Sequence, residues 1–146
     1  MLIYLGICCF NRPFDDQCQL LVRLQTEAKL YIQDAIRRGI FTLVWSAAMD
    51  LENEANPDIS RREAIALWKS FAVVDVDTSN DVEALAEEIV LLGIKPMDAL
   101  HVASAIVAGA TCLLTTDKAL LKKMYRNPRL PALDPIDFIR NIQEDS

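Results

Sequence analysis

The sequence contains a single histidine, His101, and this scarcity restricts the chemistry available to the chain. One imidazole cannot build a zinc site of several histidines, and a nucleophilic triad would have only this residue as its base. The cysteines are Cys8, Cys9, Cys18 and Cys112. They form no CxxC pair and no disulfide framework, so we interpret them as small apolar residues. Any catalysis is therefore expected to rest on carboxylates.

Long apolar runs, glycine and proline are also scarce. No stretch approaches the ~20 apolar residues of a membrane span. Residues 1–10 are apolar but lack the basic leading region and cleavage site of a signal peptide. With 146 residues, 52% hydrophobic, 4 glycines and 6 prolines, the composition fits one globular domain over residues 1–146. We expect a cytoplasmic protein.

Positively charged residues are fewer than negatively charged ones: the sequence has 15 Lys and Arg and 21 Asp and Glu, which gives a net charge of −6. Such a chain should not coat nucleic acid or an anionic membrane non-specifically. One basic run could still contact a polyanion locally, and it is equally typical of a solvated helix face. The run consists of Lys118, Lys122, Lys123, Arg126 and Arg129.

Short β-branched or apolar runs alternate with longer segments of helical periodicity. The predicted strands are residues 2–8, 41–45, 73–76, 111–115 and 130–133. The first long helix is predicted to start at residues 13–16, and its apolar positions at helical spacing are Leu21, Leu24, Ala28, Tyr31, Ile32 and Ala35. Ser60 is predicted to open a later helix in a capping box, and Asp117 to start another. This alternation predicts a three-layer α/β/α domain with a mostly parallel central sheet.

Three carboxylates follow predicted strands or open predicted helices at different points of the chain. Glu52 lies on the helix after strand 41–45, Asp98 in the first turn of a helix, and Asp117 directly after strand 111–115. At one edge of a parallel sheet they would repel one another and need a cation. Each also has a structural explanation, because acids favour helix N-termini and Glu52 has the acidic neighbours Asp50 and Glu54.

Three segments together resemble the PIN-domain family, of the kind found as the toxin half of VapC-type toxin–antitoxin pairs. The longest is KPMDALHVASAIVAGATCLLTTDKALLKK at residues 95–123. The second is WSAAMDLENE at residues 45–54, where Ser46 and Glu52 have the family's spacing. The third is the opening IYLGICCFNRPFDD at residues 3–16.

The resemblance implies a metal-dependent endoribonuclease whose acids hold Mg²⁺ or Mn²⁺ for attack on an RNA phosphodiester. Glu52, Asp98 and Asp117 match the family's second, third and fourth acids. Thr115 matches a hydroxyl residue two before the last acid, where it would support a carboxylate or a metal-bound water. The resemblance also implies an antitoxin protein as partner, covering the acidic cleft, and a homodimer.

Gly6 departs from the family, which has an Asp at the end of the first strand. Losing a supporting contact to a metal site costs ~10–100-fold in affinity or activity, so losing a ligand should cost at least as much. Asp15 and Asp16 follow in the chain, and we expect them to stay away from this position. His101, three residues after Asp98, is interpreted as a structural histidine rather than a residue that orients an acid.

Three functions therefore remain open. The first is a ribonuclease whose activity is impaired by Gly6. The second is a catalytically inactive PIN-fold protein that binds an antitoxin-like protein or RNA. The third is a small flavodoxin-like binding module, which the absence of a glycine-rich phosphate loop disfavours.

Overall fold

The computed structural model describes residues 1–125, 127 and 129–144, and of residue 144 it describes the backbone only. Five parallel strands form a central sheet with helices on both faces, which confirms the predicted three-layer α/β/α fold. The strands are β1 (Leu2–Leu5), β2 (Thr42–Ser46), β3 (Ala72–Val76), β4 (Cys112–Leu114) and β5 (Ala132–Leu133). The helices are α1 (Ile7–Asn11), α2 (Leu20–Arg37), α3 (Ala47–Glu54), α4 (Ile59–Ala66), α5 (Asn80–Val90), α6 (Pro96–Val107), α7 (Lys118–Met124) and α8 (Pro135–Glu144).

The strand order is β3-β2-β1-β4-β5, with β1 at the centre. The chain moves outward from β1 to β3 and then crosses to the other side of β1 to form β4, so the order reverses between β1 and β4. In open parallel sheets ligands bind beyond the carboxyl ends of the strands at such a point. Gly6 follows β1 there, and its N–H donates to Leu114 O of β4 at 2.9 Å.

The inner strands are buried because helices cover both of their faces, as is usual for parallel sheets. Ile3, Tyr4 and Leu5 of β1 are fully buried, as is Leu114 of β4. Trp45 at the end of β2 is the largest fully buried side chain. None of the helices in the described ranges is both long and apolar enough to cross a bilayer.

The first predicted strand, residues 2–8, is too long. β1 ends at Leu5, and residues 7–11 form the short helix α1. The apolar run continues without a polar break through Phe10, and such a run looks the same whether it is a buried strand or a buried helical turn. The difference matters for the site, because α1 carries Cys8 back over the end of β4.

The first long helix begins later than predicted. Residues 12–14 form a 3₁₀ turn, and α2 starts only at Leu20. Asp15 pairs instead with Arg12 at 2.8 Å and with Arg61 at 3.4 Å. Asp16 accepts from the Cys18 N–H at 3.0 Å. Local ion pairs therefore replace the predicted helix start.

The predicted capping box at Ser60 is wrong by two residues. Asp58 is the N-cap of α4, and its side chain accepts from Arg61 N at 3.0 Å. Either residue suits this position by type, and spacing alone does not decide between them.

The predicted apolar positions of α2 are divided between its two sides, with Ile32 and Ala35 buried as predicted. Leu21, Leu24 and Tyr31 are 48%, 47% and 56% exposed. The buried face carries several polar side chains: Gln25, Thr26, Lys29 and Gln33. A hydrophobic periodicity assigns apolar residues to the core, and it fails here because the inner face of α2 is partly polar.

Candidate functional site

A cavity of about 80 Å³ lies beyond the carboxyl ends of β1 and β4. Its lining includes Glu52, Asp98 and Asp117, together with Gly6 and Thr115. We call it the acidic cavity. The structure therefore brings the three predicted carboxylates, the glycine at the missing-acid position and the supporting threonine to one place. Asp15 and Asp16 are not part of its lining.

Each carboxylate is delivered by a different element. Ser46, the last residue of β2, caps α3 by accepting from Met49 N at 3.1 Å, and α3 carries Glu52. Pro96 occupies the first turn of α6, which places Asp98 in that turn. Asp117 is the N-cap of α7. For Glu52 and Asp117 the short distance between strand end and helix start holds the side chain at the sheet edge, whereas α6, which carries Asp98, follows α5.

A buried hydrogen-bond chain orients Glu52. Tyr4 Oη lies 2.6 Å from Ser46 Oγ and 2.5 Å from His101 Nδ1. His101 Nε2 lies 2.8 Å from Glu52 Oε2. The interpretation of His101 as purely structural is thus incomplete, because it is buried, satisfied at both nitrogens and in direct contact with a predicted acid.

The protons of this chain can be ordered in one direction. Burial raises the pKa of Tyr4 well above its usual range, so the phenol keeps its proton. With Glu52 ionised and His101 neutral, Nε2–H donates to the carboxylate and Nδ1 accepts from Tyr4. Ser46 then donates to Tyr4 Oη while its own oxygen accepts from Met49 N–H. The Tyr4 and Ser46 hydroxyls and both His101 nitrogens are then paired, which holds Glu52 Oε2 in one orientation.

Asp98 is the acid of this cavity whose ionised form is disfavoured. Its pKa is raised, first by burial and then by the negative charge of Asp117, while His101 acts in the opposite direction. Glu52 adds a smaller repulsion. A carboxylate in this setting is stabilised by any cation that enters the cavity.

Asp117 and Thr115 form a local turn at the end of β4. Asp117 Oδ1 accepts from Ala119 N at 2.9 Å and Leu120 N at 3.2 Å. Thr115 Oγ1 accepts from Asp117 N at 3.1 Å. The cap uses only one carboxylate oxygen of Asp117, and the buried threonine fixes the backbone that carries it.

The position of the missing acid is partly filled by a thiol. Gly6 has φ −63° and ψ 153°, a conformation open to any residue. A β-carbon there would lie 3.1 Å from Leu114 O and 3.5 Å from Cys8 Sγ. Cys8 Sγ also lies 3.3 Å from Thr115 Oγ1 and accepts from Thr116 N at 3.3 Å. Cys8 thus occupies space that an acid at residue 6 would share.

Cys8 should react as a thiolate at unusually low pH. Hydrogen bonding by the Cys9 thiol lowers the pKa of Cys8 to about 6 against the effect of burial, and Thr115 acts in the same direction. Alkylation of Cys8 by iodoacetamide, located by fragment-ion mass spectrometry, should rise with a midpoint near this pH. Thr115→Val should move the midpoint upward. A midpoint near the ordinary thiol value of about 8.5 would contradict the assignment.

The carboxylates match a hard divalent cation in donor type, because Mg²⁺ and Mn²⁺ prefer oxygen ligands. Within the described residues, however, no three His, Cys, Asp or Glu side chains stand close enough together to hold a metal ion. Glu52 is committed to His101, and one oxygen of Asp117 to the cap of α7. The set fits the cation in donor type, and the family resemblance implies a further acid at the position of Gly6.

Positive side chains flank the acids on one side. A second cavity of about 60 Å³ shares Asp98 and Asp117 and adds Lys95 and Lys123. Lys118, Lys122 and Lys123 of the predicted basic run are exposed on α7. Arg129 lies 3.7 Å from Glu88, and Arg126 is outside the described residues. Lys123 therefore connects the basic run to the acids.

Sequence reasoning assigned no role to Tyr4 or Cys8 at this site. Tyr4 sits inside an apolar strand, and its partner His101 is 97 residues away. The prediction that β1 continues through residue 8 places Cys8 within a strand rather than at the site. A tyrosine two residues before the glycine at the missing-acid position is the one available signal in the sequence.

Comparisons with a protein-family profile and with solved structures support this fold. A family profile described as PIN domain matches residues 15–127, a segment that contains Glu52, Asp98 and Asp117 and begins after Gly6. No curated protein gave a significant sequence match. FitAcB from Neisseria gonorrhoeae is similar in structure, with a TM-score of 0.59 and 14% identity over 91% of this chain and 97% of that chain. VapBC2 from Rickettsia felis, bound to a DNA fragment from its promoter, gives a TM-score of 0.56 and 17% identity over 90% and 97%. The structures share the fold, and the profile, which matches well over half of the sequence, shows that this chain belongs to the PIN-domain family.

Proposed function

We propose that this protein is a VapC-like PIN-domain endoribonuclease whose Mg²⁺- or Mn²⁺-dependent activity is impaired by Gly6. The observation that carries the proposal is the convergence of Glu52, Asp98 and Asp117 on one cavity where the strand order reverses. The raised pKa of Asp98 supports it, because burial and a neighbouring carboxylate make the site favourable for a cation.

These three side chains would hold the cation only after moving closer together, because within the described residues no three such side chains stand near enough to share one ion. When bound, a divalent metal activates water and stabilises the charge that develops on a phosphoryl group. His101 and Tyr4 keep Glu52 in one orientation, and Thr115 fixes the backbone of Asp117. Lys95 and Lys123 provide positive charge for the phosphates of an RNA that approaches over Asp98.

The proposal includes an antitoxin-like protein as partner and a homodimer. Leu20, Leu21 and Leu24 on α2 are 60%, 48% and 47% exposed. Apolar side chains grouped on an exposed helix face are typical of protein interaction surfaces. The two similar structures are described as FitAcB and VapBC2, which supports a protein partner for this chain.

A binding protein without catalysis is the second candidate, and Gly6 is the observation that favours it. The family's first acid is missing, and a β-carbon at residue 6 would approach Leu114 O to 3.1 Å. Such a protein would bind an antitoxin-like partner or RNA through the same surfaces.

Metal-dependent cleavage of a mixed RNA substrate separates these two functions. The ribonuclease should cut slowly with Mn²⁺ or Mg²⁺ and stop when EDTA removes the cation. A binding protein should raise the fluorescence anisotropy of a labelled RNA equally with and without EDTA, and it should leave the RNA intact. Cleavage that persists in EDTA would contradict a metal-dependent site at the acidic cavity.

A further inference from the structure

The buried face of α2 carries a polar stripe formed by Gln25, Lys29 and Gln33, each four residues after the last. Gln25 is fully engaged, since Oε1 accepts from Arg12 Nε at 2.8 Å and Nε2 donates to Asp134 Oδ2 at 2.5 Å. The next two members of the stripe are not paired in this way.

Gln33 and Lys29 are each 3% exposed. Gln33 Nε2 is fully buried and has no hydrogen-bond partner anywhere in the described residues. Over the same residues Lys29 forms no hydrogen bond or ion pair, and its Nζ lies 5.4 Å from the Phe10 ring centre and 6.0 Å from that of Trp68. Buried polar groups are nearly always hydrogen-bonded, so the unpaired amide nitrogen of Gln33, one helical turn from Lys29, requires an explanation.

Both side chains line a cavity of about 190 Å³, and Phe10 of α1 is also part of its lining. We call it the Lys29 cavity. Its apolar wall includes Phe10, Ile65 and Trp68, and its lining shares no residue with the acidic cavity. A cavity of about 150 Å³ is large enough to hold benzene, so this one accommodates an aromatic ring with a small substituent.

Among the described residues, Lys29 is the one ionisable side chain in the lining of this cavity, and it is basic in a chain of net charge −6. Burial lowers the pKa of Lys29 to about 7, Cys9 opposes this shift, and Arg37 reinforces it. The Arg37 guanidinium lies 4.6 Å above the Trp68 ring. An amine placed in this way gains its proton most readily when an anion enters beside it.

We propose that the Lys29 cavity binds a small carboxylic acid with an aromatic or apolar body, whose carboxylate accepts hydrogen bonds from Lys29 Nζ and Gln33 Nε2. One lysine neutralises one negative charge, which favours a monocarboxylate over a phosphate dianion that would need more donors. Phe10 and Trp68 receive the apolar body. The site is separate from the proposed ribonuclease centre and does not depend on it.

Phenylacetate is a suitable probe, and its neutral isostere phenylacetamide is the matched control. In ¹H–¹⁵N NMR titrations phenylacetate should bind with a millimolar Kd, the range for a ligand of this size, and shift the resonances of α2 and of the Trp68 indole. Lys29→Met should weaken binding at least about tenfold, because it removes a charge-assisted hydrogen bond. Gln33→Leu should weaken it in the same direction.

Lys118→Met is the control variant, since it removes an exposed lysine far along the chain and should leave the Kd unchanged. Phenylacetamide should bind at least about tenfold more weakly than phenylacetate to the wild type, a comparison that needs no variant to fold. Equal binding of the two compounds would show that the cavity recognises only the apolar body and not the carboxylate, and it would overturn the proposal. Absence of binding by phenylacetate, or unchanged affinity in Lys29→Met, would also overturn it.

Discussion

Gly6→Asp is expected to raise Mn²⁺- or Mg²⁺-dependent RNA cleavage at least about tenfold over the wild type, with tighter Mn²⁺ binding. The substitution adds the missing carboxylate beside Asp98, Asp117 and Thr115, where φ −63° and ψ 153° accept any residue. The substitution should cost some folding stability, because the new β-carbon would lie 3.1 Å from Leu114 O, a tight contact with backbone that must give by a few tenths of an ångström. Cleavage of a fluorescent RNA and calorimetric titration with Mn²⁺ measure both effects.

Two variants at the same position separate charge from volume. Gly6→Ala adds the β-carbon alone, and Gly6→Asn adds the shape of the side chain without its charge. Both should keep the low activity of the wild type and lose thermal stability through the β-carbon contact, while metal-free Gly6→Asp should lose more, because its charge lies beside Asp98 and Asp117. If Gly6→Asp is folded and neither binds Mn²⁺ more tightly nor cuts RNA faster, the acidic cavity is not the remnant of a metal centre.

Asp98→Asn, made in the Gly6→Asp background, should lower cleavage at least about 100-fold, because it removes a ligand rather than a supporting contact. Folding stability should not fall with it, since burial and Asp117 already disfavour the ionised form of Asp98. The variant is measured by cleavage rate and by urea unfolding at neutral pH. Asp81→Asn is the matched control, because Asp81 is an exposed acid in the first turn of α5.

Asp98 also gives a test by pH, in which the direction of the change in folding stability is fixed. Its pKa is raised in the folded state, so above the unfolded value of about 3.9 the folded protein holds more protons than the unfolded chain. The contribution of Asp98 to stability therefore falls as pH rises through this window. Asp98→Asn should flatten that part of the stability profile, and a profile that stays as steep would contradict the assigned repulsion.

The sheet and the meeting of the acids were predictable because they follow from patterns that are local in sequence. Each acid follows a strand or opens a helix, and parallel strands carry such residues to the same edge. The PIN-domain resemblance is confirmed by the profile match over residues 15–127. The catalytic roles of Glu52, Asp98 and Asp117 stay predictions.

The features that escaped prediction depend on contacts between distant residues. Periodicity could not separate α1 from β1, because Ile7, Cys9 and Phe10 are buried in either conformation. The pairing of Tyr4 with His101 joins residues that no local pattern connects. On α2, only the spacing of Gln25, Lys29 and Gln33 at intervals of four hinted that a polar stripe faces inward.

The strand order has a consequence for the timing of activity during synthesis. β1 emerges from the ribosome first but acquires its neighbour β4 only when residues 112–114 have been made. Asp117 follows still later, and contacts of long sequence separation form slowly. The acids cannot meet before Asp117 has been made, so a shorter nascent chain carries no assembled centre. A protein able to cut RNA would thus remain harmless to its messenger and ribosome until β4 and Asp117 have been synthesised.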